Sequence, residues 1–450
     1  MTEQFLGGKV ELHPGDLLEV LPTLAADSID ACVTDPPYHL TSIVKRFGQN
    51  GSAPAQFGSD GRYARASAGF MGKVWDGGDI AARVETWATV YRVLKPGAHL
   101  LAFGGTRTYG RMQVAIEDAG FEIRDTIAWL YGSGFPKSHD VSKGIDRAAG
   151  AEREVLGRRV RLGDNAAYTD SPMNGGKYGS DRPTTDAAVV TAPATDAARQ
   201  WQGWGTALKP ACELIVLARK PLSEATVAAN VLRWGTGAIN VDGCRVATDE
   251  PQETRARNNG PTMGYGGCKV EFSPQGHTAG RWPANVIHDG SQLLLDLFPD
   301  STSSRAEVTS TPGGIYGAGN GLPSHTGIYG FDDSGSVARF FYTAKADSDD
   351  RLGSKHPTVK PLDLIQYLIR LVTPKGGQVL DPFAGTGTAG EAAVYEGMRA
   401  ILIERELEYL EDIRRRMRLV MCGPDERARE TAKHRFKNQP RDDGPLFEKL

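Results

Sequence analysis

The 450-residue chain predicts an α/β protein whose mostly parallel sheet is assembled from the two ends of the sequence, and three observations carry that prediction. Apolar runs of strand length alternate with helical stretches, the pattern of a parallel sheet covered by helices on both faces. Three of the runs end in acids: Ala31-Cys32-Val33-Thr34 in Asp35, Ala400-Ile401-Leu402-Ile403 in Glu404, and Gln378-Val379-Leu380 in Asp381 followed by a glycine loop. Finally, the chain from Val379 onward supplies only two strands. That is too few for an independent sheet, so they must join the N-terminal strands.

In chain order, Val10-Glu11-Leu12 and Ala31 to Thr34 read as strands around a short helix from Leu17 to Leu24. Val84 to Leu94 has helical periodicity and is stopped by Lys95-Pro96-Gly97. His99 to Phe103 follows as a strand, Arg111 to Asp118 as a helix ended by Gly120, and Ile123 to Leu130 as another strand. Cys212 to Arg219 reads as the last strand, beside Ile123 to Leu130, which makes 135–208 an insertion. Its Gly, Asp, Ser and Thr runs, such as Gly163-Asp164-Asn165 and Met173-Asn174-Gly175-Gly176, predict long loops with little helix. A second loop-rich region, 221–353, contains a patterned core from Trp282 to Phe298 and a Gly/Ser/Thr-rich stretch from Ser301 to Gly335. The C-terminal block holds a helix from Leu362 to Val372, the strand Val379-Leu380, a helix after Gly387, the strand Ala400 to Ile403 and a long helix from Leu407. The resulting divisions are 1–134, 135–208, a returning strand in 209–220, 221–353, 354–420 and a tail, 421–450.

A formal net charge of −3 is not that of an obligate polyanion binder, so contact with nucleic acid would need a local basic face. Five cysteines, Cys32, Cys212, Cys244, Cys268 and Cys422, show no C-x-x-C pair and no histidine at ligand spacing. Reduced thiols and no metal are expected. The apolar runs are far shorter than the ~20 residues a membrane span needs, and Met1-Thr2-Glu3-Gln4-Phe5 does not begin a signal peptide. A soluble cytoplasmic protein is the expectation.

Asp35-Pro36-Pro37-Tyr38 places a carboxylate, a free carbonyl and an aromatic ring at one strand end. The prolines stiffen the turn and, lacking N–H groups, leave the Pro36 carbonyl able to accept. A flat base with an exocyclic NH2 needs two acceptors and a stacking ring, and these residues supply both. Asp381-Pro382-Phe383-Ala384-Gly385-Thr386-Gly387-Thr388 reads strand, glycine loop, helix, with backbone free to approach a ligand and a helix N-terminus aimed at it. Gly385, Gly387 and Gly390 also fit the spacing of a dinucleotide loop, and Glu404 would hold ribose hydroxyls in either case. Asp381, placed before the glycines, suits an ammonium-bearing nucleoside better than a pyrophosphate. A nicotinamide-dependent oxidoreductase accounts for the loop but not for Asp35 to Tyr38.

Together these stretches resemble the S-adenosylmethionine-dependent amino methyltransferases of DNA, in the permuted class whose catalytic motif precedes the cofactor loop. Asp35 to Tyr38 resembles the catalytic motif, Asp381 to Thr388 the cofactor loop, and His356-Pro357-Thr358-Val359-Lys360-Pro361 the segment leading into the cofactor strand. Gly15-Asp16 resembles the segment whose acid reaches the cofactor adenine. Lys209-Pro210-Ala211-Cys212-Glu213 and Arg281-Trp282-Pro283-Ala284-Asn285-Val286 resemble phage-borne members. The resemblance implies a Rossmann-like methyltransferase sheet, catalytic residues Asp35, Pro36, Pro37 and Tyr38, and S-adenosyl-L-methionine held by Asp16, Asp381, Phe383, Gly385, Thr386, Gly387, Thr388 and Glu404, with Lys360 toward its carboxylate. It also implies double-stranded DNA as partner and target recognition within 221–353. It leaves open a homodimer and service beside a restriction endonuclease or in a phage.

Methylation at a cytosine carbon would need a cysteine nucleophile, and the Pro-Cys dipeptide of such enzymes is absent from the sequence. An exocyclic nitrogen needs no covalent adduct, only acceptors as it becomes tetrahedral, for which Asp35 and the Pro36 carbonyl serve. Adenine N6 is the leading target and cytosine N4 its rival; a DNA-binding protein without catalysis is a further alternative. Arg255, Arg257, Asn258, Asn259 and Arg281 are candidate base readers, and Leu40 to Trp75 reads as a lid or an ordinary surface loop. Tryptophans 75, 129, 201, 204 and 282 read mainly as core or interface residues. The basic run Arg414 to Arg418 reads as a solvated helix face paired with Glu408, Glu411 and Asp412.

Overall fold

The computed structural model describes residues 2–38, 79–132, 138–158, 189–248, 280–303, 306–310, 325–329, 333–344, 349–354, 356 and 358–437. The chain forms two compact units, one of Met1–Gly132 with Cys212–Leu450, the other of Ser133–Ala211.

The larger unit is built on a ten-stranded sheet. In chain order its strands are Glu3–Phe5 (β1), Val10–Pro14 (β2), Ile29–Thr34 (β3), Leu94–Gly104 (β4), Glu122–Leu130 (β5), Cys212–Arg219 (β6), Val286–His288 (β7), Tyr342–Thr343 (β8), Gln378–Asp381 (β9) and Arg399–Glu404 (β10). In space they run β1-β2-β10-β9-β3-β4-β6-β5-β7-β8. The five strands from β2 through β4 are parallel to one another, β1 is antiparallel to β2, and β6 is antiparallel to both neighbours. The chain ends therefore meet in the middle of the sheet, with β9 and β10 filling the gap between β2 and β3.

Both faces of the central parallel strands are buried. All six residues of β3 are buried, as befits a parallel strand covered on both sides. On one face Ala31, Val33, Leu101, Phe103, Val379 and Leu402 pack with the helices Leu362–Val372 and Thr388–Tyr395. On the other Cys32, Leu100, Ala102, Leu380 and Ile401 pack with Val84–Val93 and Tyr109–Asp118. Alternation along each strand sends successive side chains to opposite clusters.

Two expectations need correction. β6 is interior, between β4 and β5, not the last strand; Val286–His288 and Tyr342–Thr343 extend the sheet beyond β5. Part of 221–353 thus belongs to the main sheet, because strands as short as three and two residues leave too faint a periodicity to read. The rest of that region includes antiparallel pairs, Asp300–Ser303 with Asp333–Ser336 and Ala306–Ser310 with His325–Tyr329. Within the tail, Pro424–Lys437 is a helix.

In the smaller unit, the Gly163-Asp164-Asn165 and Met173-Asn174-Gly175-Gly176 runs lie outside the described residues. The unit contains helices Val141–Ala148 and Asp196–Gln200 and the antiparallel pair Val155–Arg158 with Val189–Thr191. Asp146 organises it, accepting from the backbone N–H groups of Ala194 (2.9 Å) and Thr195 (3.0 Å), from the Thr195 hydroxyl and from Arg153. Among the described residues no helix is long and apolar enough to cross a membrane.

Candidate active site

Adjacent parallel strands β2, β10, β9 and β3 finish at one edge of the sheet, and each carries an acid at or just past its end: Asp16, Glu404, Asp381 and Asp35. This is the edge at which open α/β sheets bind ligands. The Thr34 hydroxyl donates to Asp381 Oδ1 at 2.6 Å, which joins the two chain ends across 347 positions. The Phe383 N–H donates to the same oxygen at 3.1 Å. Burial pushes the Asp381 carboxyl up to about 7 against those two hydrogen bonds, and the charges of Asp35 and Glu404 push the same way.

Glu404 ties strand β10 to the glycine loop. Its Oε2 accepts from the Gly385 N–H at 2.8 Å, and its Oε1 from the N–H groups of Arg405 (2.9 Å) and Glu406 (2.8 Å). Burial nevertheless pushes this carboxyl, too, up to about 7. Asp16 caps the helix Leu17–Val20 by accepting from the Leu18 N–H at 2.9 Å, and its other oxygen lies 3.8 Å from the Arg405 guanidinium.

The loop itself needs glycine. Gly387 has φ +80° and a Cβ there would stand 3.2 Å from Ile413 Cγ1; Gly390, inside the helix, approaches Leu402 Cδ1 so that a Cβ would meet it at 2.8 Å. The hydroxyls of Thr386 and Thr388 lie 3.3 Å apart, and Phe383 packs at the edge of the second core cluster. Behind the loop stands Arg416, expected on a solvated face but 1% exposed. Its Nε donates to the Thr386 carbonyl at 2.8 Å and its guanidinium pairs with Glu391 at 2.5 Å, while Arg427 meets the other Glu391 oxygen at 2.6 Å. Its neighbours do sit near the surface, Arg414 on Glu3 and Glu411, Arg415 on Asp412. About 100° of rotation per residue separates the two behaviours, and a run of identical charges hides it.

At the β3 end, Pro36 is buried and the Asp35 and Tyr38 side chains meet a lysine. Lys360 Nζ lies 2.7 Å from Asp35 Oδ2, 3.0 Å from the Tyr38 hydroxyl and 3.1 Å from Glu213 Oε2. Lys360, which the motif resemblance assigns to the cofactor carboxylate, contacts the tetrapeptide and Glu213. Burial disfavours its ammonium, but Asp35 and Glu213 outweigh that and hold its pKa above the ordinary lysine range. The Tyr38 hydroxyl donates to Glu213 Oε2 at 3.0 Å; burial first, then the two carboxylates, push this phenol well above its usual value. Asp35 Oδ1 is buried with no hydrogen-bond partner among the described residues. Gly105, following β4, makes room for the Tyr38 ring, whose Cδ2 would be 3.0 Å from a Cβ at that position. Neither Gly105 nor Glu213 was assigned a role from sequence; only the Lys209 to Glu213 stretch marked the latter.

His356 is a packing residue. Its ring meets Tyr409 edge-on at 4.5 Å, its Nδ1 accepts from the Thr358 N–H at 3.3 Å, and burial lowers its pKa to about 4. Arg281 stacks on Phe340 at 4.7 Å and donates to the Arg339 carbonyl at 3.2 Å. Trp129 is buried, whereas Trp282 is exposed beside Arg245 and Trp201 and Trp204 form an edge-on pair. Leu40 to Trp75, Arg255, Arg257, Asn258, Asn259 and Pro357 lie outside the described residues.

An acid-edged sheet with a glycine loop at one strand and a rigid Asp-Pro-Pro-Tyr turn at its neighbour has the architecture of the α/β proteins that bind ligands at their strand ends. The comparisons narrow that class: a family model described as DNA methylase, of the N6/N4 methyltransferase type, matches residues 29–415. The chain belongs to that DNA methylase family. It is 46% identical over 67 residues to Type II methyltransferase M2.MboI of Moraxella bovis, which is 15% of this chain and 24% of the relative. It is 44% identical over 55 residues to DNA adenine methyltransferase YhdJ of Escherichia coli K12, 12% of this chain and 19% of the relative. The chain thus aligns with about a quarter or less of either curated relative. Among solved structures, the PvuII DNA methyltransferase, titled cytosine-N4-specific, aligns with TM-score 0.40 and 12% identity over 97% of both chains.

Proposed function

We propose that the protein transfers a methyl group from S-adenosylmethionine to the exocyclic amine of a base flipped out of double-stranded DNA, with adenine N6 as the target. One observation above all supports this reading: a rigid turn presents a buried carboxylate oxygen, Asp35 Oδ1, with no hydrogen-bond partner among the described residues, beside the strand end that carries the glycine loop. The residues fit the cofactor as well as the base. Asp381 would take its ammonium group, Glu404 keeps a lone pair on Oε2 for a ribose hydroxyl, Asp16 would reach the adenine, and Gly385 to Thr388 offer close backbone approach. When bound, S-adenosylmethionine supplies an electrophilic sulfonium methyl.

The chain's part in the reaction is to bind and orient. Asp35 Oδ1 and the Pro36 carbonyl accept the two amine hydrogens, which returns the nitrogen lone pair from the ring as the nitrogen becomes tetrahedral. Proximity then contributes more than basicity. Tyr38 replaces stacking that the flipped base loses, worth about 1 to 3 kcal/mol. Adenine is favoured over cytosine by the aspartate that opens the motif and by the name of the Escherichia coli relative. Asp35→Ala is expected to abolish methyl transfer to unmethylated duplex DNA while S-adenosylmethionine binding stays measurable; near-normal turnover refutes the assignment. Single-molecule sequencing of DNA from cells expressing the chain identifies the base, and N4-methylcytosine there refutes the adenine target.

A further inference from the structure

We propose that Glu213 is a positioning residue for methyl transfer, sharing the charge of Lys360 so that Asp35 keeps one oxygen for the target amine; this rests on the methyl-transfer reading above. Glu213 is the second residue of β6, so its place beside Asp35 is fixed by the sheet and not by a loop. The Lys360 ammonium lies between two carboxylates, 2.7 Å from Asp35 Oδ2 and 3.1 Å from Glu213 Oε2, and the Tyr38 hydroxyl touches both Lys360 and Glu213 at 3.0 Å. Only one oxygen of Asp35 is engaged by this network, and the other is buried with no hydrogen-bond partner among the described residues.

Charge counting shows what the second carboxylate contributes. Two carboxylates and one ammonium leave one net negative charge beside a nitrogen that gains positive charge as it is methylated, and a fixed charge of that sign stabilises the transition state more than the ground state. With Glu213 neutral, the ammonium is matched by Asp35 alone and the surplus disappears. The lysine is then also drawn onto the single remaining carboxylate, in competition with the amine. Tyr38 would lose a charged acceptor at the same time, and with it part of what fixes its ring.

Two substitutions separate charge from shape. Glu213→Gln keeps the length and an acceptor oxygen but not the charge; Glu213→Asp keeps the charge on a shorter arm. For Glu213→Gln, kcat for DNA methylation is expected to fall about 10- to 100-fold, with the Kd for S-adenosylmethionine held within about twofold. Glu213→Asp is expected to retain more of kcat than Glu213→Gln, an order that a space-filling role would reverse. Glutamine equal to or better than aspartate, or both variants within about threefold of the parent, overturns the assignment of Glu213 and leaves the methyl-transfer reading standing. A parent chain that binds S-adenosylmethionine and methylates no DNA overturns both.

Discussion

Replacing Asp381 by asparagine should stabilise the ligand-free protein and weaken its hold on the cofactor, two effects of opposite sign from one atom pair. Asparagine keeps an oxygen for the Thr34 hydroxyl at 2.6 Å and the Phe383 N–H at 3.1 Å and removes only the charge. In the folded chain the carboxyl is held near 7 instead of its ordinary 3.8, mainly by burial. At about 1.4 kcal/mol for each tenfold change, keeping it ionised at pH well above 7 costs on the order of 4 kcal/mol. A raised folded pKa contributes stability that is fully present below the unfolded value, near 4, and lost as pH rises through about 7. The parent should therefore melt lower at pH 8 than at pH 6, and Asp381→Asn should lose about half of that decline while melting higher at pH 8. Glu404 shares the decline through its own carboxyl, also held near 7, so a residual slope should persist in the variant. Calorimetry without ligand measures the first effect and titration with S-adenosylmethionine at pH 8 the second. Equal pH slopes in parent and variant, or unchanged cofactor affinity, would refute the reasoning.

Three further outcomes follow from the same geometry. Gly387→Ala puts a side chain at φ +80° and a Cβ 3.2 Å from Ile413; it should cost about 1 to 2 kcal/mol, seen in equilibrium binding as roughly tenfold weaker S-adenosylmethionine affinity. Arg416→Met leaves Glu391 without one of its two cations and frees the Thr386 carbonyl; losing one partner of a buried pair should destabilise by about 3 to 5 kcal/mol in denaturant unfolding. Gly105→Val drives atoms into the Tyr38 ring, already 3.0 Å from an added Cβ. Steady-state kinetics should show kcat falling while cofactor affinity holds.

The strands that carry the site were legible because each ends a buried apolar run in an acid, a signal both local and strong. β3, β9 and β10 appear within two residues of their expected bounds. The union of the chain ends was legible by elimination, since two strands cannot stand alone. What sequence hid was relational. Lys360 meets Asp35 because the segment before Leu362–Val372 reaches the β3 end, which no spacing records. Arg416 reads like Arg414 and Arg415 until Glu391 and the Thr386 carbonyl supply its buried partners. β7 and β8 are too short for a period to register, and the place of β6 between β4 and β5 is a matter of pairing, not of propensity.

β5 and β6 are antiparallel partners whose register closes with Leu130 opposite Cys212, and the smaller unit, Ser133–Ala211, occupies the interval between them. In topological terms the two strands are a hairpin whose turn has been opened to admit a folded insert. Because the entropy of closing a loop grows only with the logarithm of its length, the hairpin's pairing is nearly indifferent to what the opening carries. The strand that presents Glu213 can then keep its alignment while the insert is shortened, lengthened or exchanged, so this opening is a natural graft point where the insert can diversify while the β5–β6 pairing is kept.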